Sequence, residues 1–368
     1  MRKIGLLVNP VAGMGGSVGL KGTDGKMYSI AIELGAKPVT QERARVFLSH
    51  IKHKNDLSIL VAPGNMGENI TKEANVSFSV VSSLLSEITS ADDTKRIARE
   101  MMNKNIDLLV FVGGDGTARD IYDAIRLGKP VIGVPSGVKM FGSVFAVNAI
   151  AAAEIVDAFV EGNASIVEKD VLDINEEAYR EGKLDIKLYG YLKVPEAMGL
   201  VQSGKEPTRP TKSSQENHAA IARYVVESMD GDTLYLLGAG TTTNAIADEL
   251  KVKKTLLGVD AIYNNKLVGE NLNEKGILDL LRDFPKVKII ISPIGGNAFI
   301  FGRGNQEFSP GVLKVVGEEN IIVVATRDKI NKVRCLRVDT NDIEVDKRLK
   351  GYIKVVTYYD EEVIMAVT

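Results

Sequence analysis

The stretch "DLLVFVGGDGTARD", residues 107–120, decides how the first half of the chain is read. Leu108 to Val112 form an unbroken apolar run, the pattern of a strand covered on both faces. Gly113 and Gly114 let the backbone turn tightly and come close to a ligand. Thr117 then starts a helical pattern with Asp120 three residues on, close to a capping box. Backbone N–H groups at such a helix start, reinforced by the helix dipole, favour an anion, so Gly113, Gly114, Gly116 and Thr117 make a candidate phosphate loop. Asp115, in the middle of it, would repel a phosphate. Two readings are open: the carboxylate caps the turn, as Asp often does, or it serves phosphoryl transfer to a hydroxyl. In that reaction a Mg²⁺ on the donor phosphates screens the charges and an alcohol proton must leave, which makes Asp115 a general base or an outer-shell partner of the metal.

Around this stretch the same rhythm of strand, glycine turn and helix recurs, which is that of an α/β protein. "KIGLLVNP" is a first strand running into the glycine-rich "VAGMGGSVGLKGTDGK", and "LSILVAPG", "VSFSVV" and "PVIGVPSG" are further strands. "ADDTKRIAREMMNKN" reads as a helix whose Ala91-Asp92-Asp93 start supplies capping oxygens, and "TARDIYDAIRLG" as one ending at Gly128. Together they predict a doubly wound, Rossmann-like domain over residues 1–155. After "AIAAAEIVDAFVEG" the alternating "ASIVEKDVLDIN" and "KLDIKLYGYLKV" predict a solvent-facing antiparallel piece. The polar segment 203–216 reads as an exposed loop or linker. Residues 156–368 are expected to form a second, mixed α/β domain with antiparallel strands, whose last strand "YIKVVTYY" is free to return to the first domain.

The chain has 368 residues, 45% hydrophobic and 26% charged, with a formal net charge of -2. That balance gives no overall reason to expect nucleic acid or a membrane surface as partner. The lone Cys335 reads as a small core residue. No stretch reaches the ~18 uninterrupted apolar residues of a membrane span, and the N-terminus lacks a signal-peptide pattern, so a cytoplasmic protein is expected. His50 and His53, three apart, lack the further ligands of a metal site, and no protein metal site is expected.

In the second half, "YLLGAGTTTNAIADEL" presents Gly238 and Gly240 between a strand and a helix, most of a dinucleotide fingerprint, with Thr243 where the third small residue should be. Thr241 and Thr242 offer hydroxyl donors, and Asp260 lies about as far downstream as the ribose-binding acid of that motif. The alternative is an ordinary strand-to-helix turn. No P-loop occurs; Lys21, Thr23, Asp24, Lys26 and Lys139 are candidate phosphate or metal neighbours or, equally, solvated loop residues.

"GGDGTARD", followed by "KPVIGVPSGVKMFGSVFAVN", resembles the NAD kinase family and its relatives among diacylglycerol-type lipid kinases. The resemblance implies that Asp115 activates the acceptor hydroxyl, and the opening "LLVNPVAGMGG" implies that Asn9 lies near the nucleotide. "SPIGGNAFIFGRGNQEFSP", residues 292–310, is similar to a diverged form of the segment that lines the NAD site, with Ser292, Pro293, Gly295, Ala298, Phe299, Gly304 and Pro310 in register. By resemblance Gly295, Gly296, Asn297, Phe299 and Arg303 contact the dinucleotide; Asn297 and Phe299 stand where Thr and Tyr are usual, and Arg303 is an addition. The overall texture, "GLKGTDG" and "IFGRGNQ" included, is similar to predicted ATP-NAD kinases of archaea and bacteria related to acetoin-operon kinase-like proteins. The implied activity is Mg²⁺-dependent transfer from ATP or polyphosphate to the 2′-hydroxyl of the adenosine ribose of NAD, by a homo-oligomer acting on small molecules. Two rivals remain: a kinase of another small-molecule or lipid hydroxyl, and a dinucleotide-binding protein without turnover.

Overall fold

The computed structural model describes residues 1–14, 18, 26–36, 38–83, 89–136, 140–174, 186–197, 200–201, 212–294, 297–303 and 305–368. They form two compact units, each with its own core.

The first unit is built on five parallel strands, β1 (Arg2–Val8), β2 (Leu57–Val61), β3 (Phe78–Val80), β4 (Leu108–Gly113) and β5 (Val131–Pro135), in the order β3-β2-β1-β4-β5. Between and after them run α1 (Lys26–Glu33), α2 (Thr40–His50), α3 (Glu68–Glu73), α4 (Ala91–Asn103), α5 (Asp115–Ile125) and α6 (Ala149–Glu161). Helices α2 with α6, and α4 with α5, pack as pairs. Every residue of β4 and β5 is buried, which is why both strands read as unbroken apolar runs. The chain leaves β1 towards β2 and β3 on one side, and β4 leads to β5 on the other. The switch therefore falls between β1 and β4, and in open α/β sheets ligands sit outside the carboxyl ends of strands at that place.

The alternating segments form an antiparallel pair, β6 (Ser165–Ile174) with β7 (Ile186–Glu196). The expected division near residue 155 does not coincide with the compact units, because this hairpin belongs to the first: Val171, Leu192 and Val194 are fully buried in its core. Alternation revealed one buried face but not whose core it would join.

The second unit holds a seven-stranded sheet in the order β10-β9-β8-β11-β13-β15-β16. Its centre, β8 (Leu234–Leu237), β11 (Val287–Ile291), β13 (Ile321–Val324) and β15 (Gly351–Tyr358), is parallel; β9 (Val259–Tyr263), β10 (Lys266–Leu272) and β16 (Glu361–Val367) are antiparallel additions at the edges. A small parallel pair joins β12 (Phe299–Phe301) to β14 (Arg337–Val338). Helices α7 (Lys212–Glu227), α8 (Thr241–Glu249), α9 (Glu274–Asp283), α10 (Pro310–Val316), α11 (Arg327–Ile330) and α12 (Ile343–Leu349) complete the unit. Leu236, Ile289, Val323 and Val355 belong to one core and Leu237, Ile290, Val324 and Val356 to another, so successive residues face opposite sides of one sheet. The strand "YIKVVTYY" pairs with β13 and β16 and stays in this unit.

Candidate active site

Helix α5 begins two residues earlier than its apolar period suggests. Gly114, extended at φ -117°, is the N-cap and Asp115 the first helical residue, which places Thr117 inside the first turn. The capping box between Thr117 and Asp120 is therefore not formed. Asp120 is buried and faces Lys95 of α4 at 3.5 Å, which also reaches Asp123 at 3.2 Å. Burial raises the Asp120 carboxyl above the usual range, against the pull of Lys95. Tyr189 of β7 donates to Asp123 at 3.1 Å, so this network clamps α5 between α4 and β7.

Asp115 sits where the positive end of the helix dipole favours a carboxylate. It does not cap its own helix. One oxygen accepts from the Phe141 N–H at 2.7 Å and the other from the Gly142 N–H at 3.0 Å, on the loop after β5. Both carboxylate oxygens are held by that loop, and the side chain stays partly exposed. A Cβ on Gly142 would stand 3.0 Å from Asp115 Oδ1, so that loop position closes on the acid at its tightest.

Below Asp115, Thr117 is buried, and its Oγ1 accepts from the Asn9 amide at 2.9 Å. Asn9 is fixed in turn: its N–H donates to Val112 O at 2.9 Å and its side-chain oxygen accepts from the Val11 N–H at 3.2 Å. Gly113 has no room for a side chain, since a Cβ there would lie 2.4 Å from Thr117 Oγ1. One strand over, the Ser136 N–H donates to Gly113 O at 3.0 Å, while its buried hydroxyl has no hydrogen-bond partner among the described residues. Ser143 and Asp170, which sequence reading passed over, bind each other: Ser143 Oγ donates to the Asp170 carboxylate, and the Asp170 N–H donates back at 3.1 Å. Nothing local marks Asp170, one acid in an alternating strand, as a neighbour of the 141–143 loop.

Asn9, Gly113, Gly114, Asp115, Gly116 and Thr117 thus meet at the carboxyl ends of β1 and β4. The arrangement offers helix N–H groups to a phosphate and a fixed carboxylate to a hydroxyl. Among the described residues no group of three or more His, Cys, Asp or Glu could cage a metal ion. The carboxylates near the loop, Asp115 and Asp170, are oxygen donors of the kind Mg²⁺ takes beside its waters and substrate phosphates.

In the second unit, Gly238 follows β8 and Gly240, at φ 129°, caps α8. A Cβ on Gly238 would meet Ile291 Cγ2 at 2.9 Å. Thr243, the departure from the fingerprint, turns inward and donates to Gly238 O at 2.6 Å, bracing the turn from beneath. Thr241 is exposed and Thr242 buried, 3.5 Å from the Ser292 hydroxyl at the end of β11. Asp260 is a different case from the one expected. It is fully buried and accepts from Thr255 N–H at 2.6 Å, Thr255 Oγ1 at 2.9 Å and Asn271 N–H at 2.6 Å, with the Lys254 ammonium 3.7 Å away. The tertiary fold uses this carboxylate to hold the 255 and 271 turns.

Phe299 lies buried in β12 with the Arg303 guanidinium 5.1 Å above its ring, and Asn297 is partly exposed. Gly295 and Gly296 fall outside the described residues, as do Gly304, Lys21, Thr23, Asp24, Lys139 and the side chain of Lys26. Sequence reading also missed Lys329 of α11, whose ammonium donates to Ser292 Oγ at 3.3 Å. No helix among the described residues is long and apolar enough to cross a membrane.

Comparison with known families finds the ATP-NAD kinase N-terminal domain over residues 4–164 and the ATP-NAD kinase C-terminal domain over residues 229–367. No curated protein is significantly similar in sequence. Among solved structures, a diacylglycerol kinase from Bacillus anthracis str. Sterne is 14% identical over 48% of this chain and 47% of its own, less than half its length, with a TM-score of 0.23. The UDP-GlcNAc 2-epimerase from Neisseria meningitidis bound to UDP-GlcNAc is 11% identical over 92% of this chain and 77% of its own, with a TM-score of 0.25. At such scores neither likeness bears on chemistry.

Proposed function

The chain belongs to the ATP-NAD kinase family, and from that premise we propose that it transfers a phosphoryl group from ATP or polyphosphate to the 2′-hydroxyl of the adenosine ribose of NAD, as a cytoplasmic homo-oligomer. One observation carries the reading: the Asp115 carboxylate, at the first position of α5, is oriented by the Phe141 and Gly142 N–H groups. A hydroxyl brought to that carboxylate is aligned and loses its proton to it, while Gly114 and the first turn of α5 hold phosphate oxygens with backbone N–H groups. Mg²⁺, held by donor phosphates with Asp115 or Asp170 as neighbour, would neutralise charge developing on the transferred group.

Support for a different acceptor alcohol comes from the other unit. Phe299, in the segment similar to the NAD-lining one, is buried beneath Arg303, and Asp260 is sealed inside the fold. An NADP-formation assay with NAD, Mg²⁺ and either donor, run beside Asp115→Asn, separates the two. Turnover by the wild type and a fall of about 10²–10⁴-fold in the variant are expected. A variant near wild type removes Asp115 from the chemistry; a wild type inactive with both donors removes NAD as acceptor.

A further inference from the structure

Two lysines of the second unit are deeply set, and they differ in what surrounds them. Lys254 is fully enclosed and compensated: its ammonium donates to Thr255 O at 2.7 Å and Gly258 O at 3.1 Å, with Asp260 at 3.7 Å. Among the described residues Lys329 has one partner, the neutral Ser292 hydroxyl at 3.3 Å, and no carboxylate. Burial alone pushes its amine down to about 8, although the side chain keeps part of its surface accessible. His218 of α7 stands close by; burial, and then the charge of Lys329, hold its imidazole below the usual range. Its neighbour Asn217 ties the elements together, donating to Thr357 O at 2.6 Å and accepting from the Arg327 N–H at 3.0 Å. A largely buried cation with no counter-ion among the described residues opposes folding, and such a charge is ordinarily paired or neutralised.

The place is a distinctive one. Ser292 follows β11, Lys329 follows β13 and the Gly238–Gly240 turn follows β8, so all three stand at the carboxyl ends of neighbouring parallel strands. Ser292 links them: its hydroxyl is 3.5 Å from Thr242 Oγ1, and its Cβ is 4.0 Å from where a Cβ on Gly240 would stand. A glycine turn with a helix start, two buried hydroxyls and an ammonium without a carboxylate among the described residues share one requirement, an anion with several acceptor oxygens. We infer that Lys329, with Ser292, Thr242 and the start of α8, forms a binding site for a phosphate group within the second unit. Lys329 supplies its charge and Ser292 holds the ammonium in place. The site stands on the second unit alone and does not depend on the role given to Asp115.

The test is calorimetric titration of the full chain, without divalent metal, using tripolyphosphate, ATP and NADP in turn. Wild type should bind at least one of them saturably. Lys329→Met should weaken that binding by about 10–100-fold, the worth of a charge-assisted hydrogen bond, while melting at or above the wild-type temperature because it no longer buries an unpaired charge. Lys329→Arg should retain binding within about tenfold. Tripolyphosphate binding that depends on Lys329 assigns the site to a polyphosphate chain; dependence seen with ATP or NADP alone assigns it to a nucleotide phosphate. Equal binding by wild type and Lys329→Met, or no binding of any probe, overturns the inference. If Lys329→Met does not fold, Ser292→Ala carries the same comparison, with a weaker loss expected and unchanged binding overturning it.

Discussion

The Asn9 amide donates to Thr117 Oγ1 at 2.9 Å, joining residues 108 positions apart at the ends of two neighbouring strands. The bond crosses the switch point between β1 and β4, and it fixes the first turn of the helix that carries Asp115. On the role proposed for Asp115, Asn9 would act on the carboxylate through Thr117, as a positioning residue. Asn9→Ala should lower kcat about tenfold, since small displacements of a catalytic group are costly, with melting reduced by the loss of one buried bond. In a double-mutant cycle with Thr117→Val, measured by urea unfolding, a coupling of about 0.5–1.5 kcal/mol is expected. Additive effects would mean that the bond does not hold the loop.

Gly113 tests the same loop by crowding it. A Cβ there would stand 2.4 Å from Thr117 Oγ1 and 2.5 Å from Thr117 Cβ. Gly113→Ala should destabilise the first unit by about 1–3 kcal/mol, as overpacking does. Thr117→Gly in the same chain should recover part of that loss, because the clash partner is gone. Unfolding curves in which Gly113→Ala matches wild type would show that the turn relaxes freely.

Lys329 has a signature in the pH dependence of stability. At pH 7 its amine is protonated both folded and unfolded, so the burial penalty is fully present. Above about 8 the folded amine loses its proton, while the unfolded one keeps it until about 10.5, and stability rises across that window. Without anion, Lys329→Met should be more stable than wild type by about 1–2 kcal/mol at pH 7, a figure reduced for partial solvent access. The gap should narrow by pH 10. Denaturant melts of both proteins at pH 7, 8.5 and 10 make the comparison, and a gap that widens with pH would contradict the assigned direction.

Much of the first unit was legible in residues 107–125 alone. The apolar run of β4, the glycine pair and the acid at the start of α5 are local features, set by backbone sterics and by burial on both strand faces, and neighbouring residues suffice to read them. The α/β class followed from repeats of the same pattern. The antiparallel hairpin was legible too, but its allegiance was not, because alternation marks a buried face without naming the core that buries it.

What the tertiary structure alone decided concerns partners and solvation. That Asp115 is oriented by Phe141 and Gly142, that Asp260 is held by Thr255 and Asn271, and that Lys254 has a counter-ion where Lys329 has none among the described residues, all depend on residues brought together from other parts of the chain. The sequence by itself determined which groups are present and which local turns present them. A side chain's charge state and reach are set by the dielectric and the hydrogen-bond partners around it, and those exist only once the chain has folded.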